Sequence, residues 1–145
     1  MPSVAHLFRA RKRRLPMEEL LAAEAASDLG FVGCAHARPG GGKRQVLLVD
    51  QETLDAMELQ AGIIRENITT TGLNVNGLAA GERLRVGEAL VEVSAVCTPC
   101  AQLEKIRAGL RRELYGRRGM LCRVIEGGII RPGDSIVRLA KAASA

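Results

Sequence analysis

The sequence predicts a mainly β domain, a closed or partly closed β-barrel carrying two or three short helices. From Gly81 to Leu139 the chain reads largely as short apolar runs broken by Gly and Pro turns. Helical spacing appears in only two or three places. The 145 residues contain no repeat and no long linker, and 47% of them are apolar, enough for one core. Short strands with few helices bury their faces and edges best as a barrel with helices at its ends.

Taken in order, Val4 to Phe8 is expected as the first strand. Pro16 to Ala26 is ambiguous, but Pro16 at a helix start, Glu18 and Glu19 in the first turn, and the Ala and Leu content favour helix. Gly30, Gly33 and Pro39 to Gly42 form a loop. Arg44 to Val49 is a β-branched run that suits a buried strand. Asp50 then caps a helix over Gln51 to Gln60, with Leu54, Met57 and Ala61 on one face and Gly62 as its stop. Arg83 to Val86 and Ala89 to Val96, joined by Gly87-Glu88, predict a hairpin. Leu103, Ile106, Leu110 and Leu114 mark a helix from about Gln102. Leu121 to Glu126 is a strand ending at Gly127-Gly128, Pro132-Gly133-Asp134 is a turn, and Ile136 to Leu139 is the last strand. Residues 1–145 are expected to form a single domain, with an ordered core over about 4–139 and a frayed tail at 140–145.

Composition narrows the function classes. Tyr115, Phe8 and Phe31 are the whole aromatic set, so the core is aliphatic. The net charge of +5 permits polyanion contact, but the chain can barely supply one stacking platform for single-stranded nucleic acid, so nucleic acid is not an expected partner. No apolar run approaches the roughly 20 residues that span a bilayer, so no membrane contact is expected. The basic cluster Arg9 to Arg14, read as a solvated loop, comes after Val4 to Phe8 instead of preceding a long apolar run, the wrong order for a secretory signal. The expected compartment is the cytosol. There the four cysteines, Cys34, Cys97, Cys100 and Cys122, stay reduced. Cys122, inside the run Met120 to Ile125, is expected as a core thiol.

Cys97-Thr98-Pro99-Cys100 is the sharpest local feature, with a strand running into it and a helix after it. Cys100 is therefore expected at a helix N-terminus, where the field favours thiolate, the form that attacks sulfur or binds a soft metal. Lys105 and Arg107 are expected to add to that field. The bland alternative is a pair of buried structural cysteines. A thioredoxin-like dithiol site is a further alternative, but the motif lies late in the chain with no βαβ unit around it. Zinc lacks a second ligand pair of the right spacing, beyond Cys34 with His36. Gly40-Gly41-Gly42-Lys43-Arg44 fails the phosphate-loop pattern, since Ala37 stands six before Lys43 and Arg44 replaces the Ser or Thr. In Arg65-Glu66-Asn67-Ile68-Thr69-Thr70, a surface turn on the plain reading, Arg65, Asn67 and Thr69 offer a fork donor, an amide and a hydroxyl, a set that suits a phosphate or a pterin edge.

These pieces together resemble the MOSC family, named after the C-terminal domain of molybdenum cofactor sulfurases. The matching stretches are Gly33-Cys34-Ala35-His36-Ala37, Arg44-Gln45-Val46, Arg65 to Thr70 with Gly72, then Leu78 and Gly81. Leu84-Arg85-Val86-Gly87, Pro99-Cys100, and Gly127-Gly128 leading to Pro132-Gly133-Asp134 come next, in the family's order. The resemblance implies a β-barrel with a cleft in which Cys100 carries sulfur or ligates the molybdenum of a pterin cofactor (molybdopterin). By match, Arg44, Gln45, Arg65, Asn67 and Thr69 would line that cleft, and His36 joins them as a cofactor-binding position. It implies an anionic cofactor or sulfur donor, an electron-transfer or sulfurtransferase protein partner, and a role in detoxifying N-hydroxylated compounds. Cys34 stands where the family has an acid, and Cys97 is additional, either resolving a persulfide or mixed disulfide on Cys100 or packing. The family pattern also favours extended chain between Met17 and Phe31, against the helix that propensity predicts.

Three functions are thus in view. The first is a cofactor-binding or sulfur-carrier domain working through Cys100, with Arg44, Arg65 and Asn67 holding an anionic group. The second is a thiol–disulfide oxidoreductase using Cys97 and Cys100, and the third is a binding module with no chemistry of its own. The first can spare Cys97 and the second cannot.

Overall fold

A computed structural model describes residues 1–12, 16–35, 37, 42 and 44–139. His36, the tail 140–145, Arg13 and Arg14 of the basic cluster, and Pro39, Gly40, Gly41 and Lys43 of the glycine loop lie outside the described residues. The first half of the chain gives β1 (Ser3–Arg9), β2 (Glu18–Leu20), β3 (Ala23–Ala26), β4 (Gly30–Phe31), β5 (Val46–Asp50), α1 (Gln51–Ala56) and β6 (Ile68–Thr71). The second gives β7 (Arg83–Val86), β8 (Ala89–Val96), a 3-10 turn (Ala101–Lys105), α2 (Leu110–Glu113), β9 (Met120–Glu126), β10 (Gly128–Ile130) and β11 (Ile136–Leu139).

The eight-stranded sheet runs β11-β7-β8-β9-β5-β6-β1-β2, and β10-β3-β4 forms a second, three-stranded sheet. The fold is mainly β with two short helices, as expected, but the sheet does not close into a barrel. Strand β1 explains why: its second half pairs with β2 at Leu7–Leu20 and Arg9–Glu18, leaving its first residues for the far edge. There one bridge, Ser3 with Ser135, and the bond from Ile136 N to the Pro2 carbonyl (2.9 Å) join the two ends.

Two buried clusters flank the sheet, and the period of two assigns residues to them. On β5, Val46 and Leu48 enter the larger core with Leu7, Phe31 and Ile68. Leu47 and Val49 enter a second core with Leu54, Leu103, Leu110 and Leu114. Both faces are covered, which is why β5 reads as an unbroken apolar run.

The helix expected over Pro16 to Ala26 is corrected to two strands. Ala23 and Ala25 are buried while Glu24 is exposed, an alternation of two, and β3 pairs with β10 through Ile129–Glu24. Pairing with a distant strand outweighs the few tenths of a kcal/mol of helix propensity per residue. The helix after Asp50 is capped as expected, Thr53 N donating to Asp50 Oδ2 at 3.1 Å, but ends at Ala56. Glu58 takes a φ of 56° there, and Leu59 N donates to the Leu54 carbonyl at 2.8 Å. The predicted helix from Gln102 is broken at Gly109, whose φ is 84°. Glu104 holds the break by accepting from Arg111 N and Gly109 N, each at 3.0 Å, and these bonds keep its carboxyl below the ordinary range.

Cys122 is fully buried in the larger core, and burial pushes its thiol pKa from 9.0 up to about 12. The unfolded thiol ionises near 9, whereas the folded one stays protonated until about 12. Between those values the unfolded state has lost a proton that the native state keeps, so stability falls as pH rises. The slope is expected to approach about 1.4 kcal/mol per pH unit midway between those values, and the loss is complete once pH passes about 12. Urea titrations of wild type and Cys122→Ala across this window check it. Parallel pH profiles would contradict the assignment.

Candidate functional site

The chain after α1 builds one wall. Gly62 sits at φ 88°, where a Cβ would stand 2.8 Å from Cε1 of Phe8, so only glycine lets the loop lie on that ring. Arg65 comes next in the left-handed region at φ 66°, an uncommon place for a residue with a side chain. Several bonds hold it there. Arg65 N donates to the Gly62 carbonyl at 3.0 Å, and buried Glu66 accepts at Oε2 from Gly62 N (2.8 Å) and Thr69 Oγ1 (2.9 Å). Arg118 Nη2 donates to the Ile64 carbonyl at 2.8 Å.

The opposite wall is the segment leaving β8. Cys97 is 8% exposed and packs in the second core, its N–H donating to the Gly119 carbonyl at 3.0 Å. Pro99 is buried, Cys100 is exposed, and Leu103 N donates back to the Cys100 carbonyl at 3.1 Å. The hook is therefore anchored by Cys97 and Leu103 and presents Cys100 outward. Cys100 leads into the short 3-10 turn, which replaces the regular helix expected there.

Between the walls lies a cleft of about 920 Å³. Phe8, Ile63, Leu103 and Ile106 supply apolar surface, and Cys100, Arg65, Lys105 and Arg118 supply a thiol and three cationic groups. None of the described residues lining it is acidic. The volume suits a sizeable organic ligand, and the charge suits an anion.

Of the residues singled out by sequence for the site, Cys100, Arg65 and Lys105 meet in this cleft. Gln45 is buried elsewhere, donating to Asp28 Oδ1 at 3.2 Å and accepting from Val124 N at 2.9 Å. Asn67 is a buried clasp: its Oδ1 accepts from Leu47 N (3.0 Å), and its Nδ2 donates to the Phe8 carbonyl (3.2 Å) and to Cys34 Sγ (3.6 Å). Asn67 and Thr69 thus support the wall without lining it. Arg44 is exposed and does not line the cleft. Arg107 donates instead to the Met57 carbonyl (2.9 Å) and to Glu113 (3.0 Å). Sequence reasoning passed over Arg118. In Arg117-Arg118-Gly119 it looks like ordinary surface charge, and no local signal sets it apart.

A model of the MOSC domain matches residues 35–137. An uncharacterized protein of Bacillus subtilis, YflK, is 32% identical over 81 residues, which is 52% of this chain and 36% of YflK, so the chain spans little more than a third of that relative. The crystal structure of YuaD from Bacillus subtilis superposes with a TM-score of 0.80 at 18% identity, covering 97% of this chain and 98% of that one. YiiM from Geobacillus stearothermophilus gives 0.80 at 20% identity, covering 97% and 76%. YiiM from Escherichia coli gives 0.73 at 20% identity, covering 99% and 72%. At these identities the structural likeness speaks for the fold.

Proposed function

The chain belongs to the MOSC domain family, and from that premise we propose that its cleft binds a molybdenum cofactor, or carries sulfur, through the Cys100 thiol. The family is associated with molybdenum cofactor binding. The observation that carries the reading is the cleft itself: the exposed thiol among four cysteines faces a space shared with three cations. The donor set fits the group. Among the described residues no cluster of three or more His, Cys, Asp or Glu is placed to hold a bare ion. A metal here would bring its other ligands with it and take one thiolate from the protein, and thiolate is a ligand that soft metals accept. Arg65, Lys105 and Arg118 suit the anionic part of such a cofactor, and Phe8 and Ile63 suit a flat organic part.

When bound, the group would supply the two-electron chemistry needed to reduce N-hydroxylated compounds. The chain's own residues have simpler tasks. Cys100 offers Sγ, the loop from Gly62 to Glu66 holds Arg65 toward the ligand, and the apolar wall excludes water. A cytosolic setting, where thiols remain reduced, suits this chemistry, and an electron-transfer or sulfurtransferase protein is the partner it would need. The burial of Cys97 in an apolar cluster favours one working thiol over a dithiol pair. Metal and pterin analysis of protein purified from a host that makes the cofactor tests the reading.

Arg65→Ala is expected to weaken binding of an anionic ligand by about 1.5–3 kcal/mol, the worth of hydrogen bonds to a charged group. The fold survives, because Ala in the left-handed region meets much the same backbone penalty as Arg. Isothermal titration checks the first effect and circular dichroism the second. An unfolded variant would make Arg65 structural.

A further inference from the structure

We propose that Arg118 is a built seat for an oxyanion within the Cys100 cleft. The cleft then selects ligands that carry a phosphate, sulfonate or carboxylate together with an atom for the thiol to engage. The inference rests on the cleft being the working site, and it deepens that reading by naming a chemical class.

Arg118 is 7% exposed and lines the cleft. Its Nη2 donates to the Ile64 carbonyl, while Nε and Nη1 are buried with no partner among the described residues. A guanidinium carries five N–H donors, so most of its bonding capacity is unspent. It forms no ion pair with a carboxylate among the described residues, and residues 13–15, 36, 38–41, 43 and 140–145 include no Asp or Glu. The buried acid on the same loop, Glu66, commits Oε2 to Gly62 N and Thr69 Oγ1 and keeps Oε1 buried without a hydrogen-bond partner among the described residues, and it forms no ion pair with Arg118.

A buried charge without a counter-charge is unfavourable, and Arg65 and Lys105 on the same cleft worsen it by repulsion. Holding the Ile64 carbonyl needs one neutral donor and no charge. No carboxylate among the described residues pairs with Arg118, and a phosphate or carboxylate accepts from a guanidinium in a charge-assisted geometry.

The test uses the whole protein and inorganic phosphate. At constant ionic strength, about 20 mM phosphate in place of chloride is expected to raise Tm by about 3 °C or more, because a ligand bound only to the folded state stabilises it. Arg118→Met loses that rise. Arg131→Ala, which removes an exposed arginine outside the cleft, keeps it. No rise in wild type, or an equal rise in Arg118→Met, overturns the proposal, the second result because general salting-out by phosphate would act on both. If Arg118→Met does not fold, wild type alone decides. Phosphate is then expected to slow carboxymethylation of Cys100 by iodoacetate at least about threefold, through competition for the same cation. Unchanged rates overturn the proposal. Neither measurement involves molybdenum, so a failure of cofactor retention and a failure of the oxyanion seat are separately visible.

Discussion

Purified from a host that makes molybdenum cofactor, Cys100→Ser is expected to hold less than about a tenth of the molybdenum and pterin retained by wild type, while Cys97→Ser retains most of it. The asymmetry arises from where the two sulfurs lie. Cys100 is exposed on the cleft, and Cys97 is buried among Leu47, Leu103 and Leu121. A serine hydroxyl is a hard, weakly acidic group and replaces a thiolate poorly as a ligand for a soft metal or as a sulfur carrier. Loss of a tenfold or greater share corresponds to about 1.4 kcal/mol or more of binding. A dithiol mechanism predicts otherwise, because the second thiol must resolve the mixed disulfide formed by the first. Complementation of sensitivity to N-hydroxylated purines gives the same comparison in cells. Two equally impaired variants would replace the single-thiol reading with the oxidoreductase, and two unaffected variants would leave a binding module.

Alkylation separates the thiols without any cofactor. With its pKa pushed up to about 12, Cys122 holds about a thousandth of the thiolate of an ordinary thiol at pH 8. It is also fully buried, so reagent reaches it only when the structure opens. Cys100 is exposed, so reagent reaches it without any opening of the structure. Limited iodoacetamide treatment and mass spectrometry are expected to show Cys100 labelled more than about 100 times faster than Cys122. Equal labelling of the two would mean that the strand holding Cys122 opens readily, or that Cys100 is shielded, and either would remove the case for a working thiol there.

Much of this protein is legible in its sequence because much of it is decided locally. The β7–β8 hairpin lies where Gly87-Glu88 puts its turn, β11 comes after Pro132-Gly133-Asp134, and Asp50 caps α1. In each case the deciding residues lie within a few positions of one another. The Cys97 to Cys100 segment is marked in the sequence, but the regular helix expected after it is a short 3-10 turn, and the burial of Pro99 beside an exposed Cys100 comes from packing. Tertiary structure decided which distant segments meet. Ala23 to Ala26 has helix propensity, yet β10, about a hundred positions away along the chain, captures it as a strand. Asn67 looks like a ligand-binding amide in sequence, and pairing of β5 with β6 and β1 with β6 turns it inward to the Leu47 and Phe8 backbones. Arg118 carries no mark in the sequence at all. It becomes a buried charge on the Cys100 cleft because the loop after α1, reaching across to the residues before β9, covers it. Propensity and turn chemistry act over a few residues, whereas desolvation of a charge depends on everything packed around it, and only the folded chain supplies that.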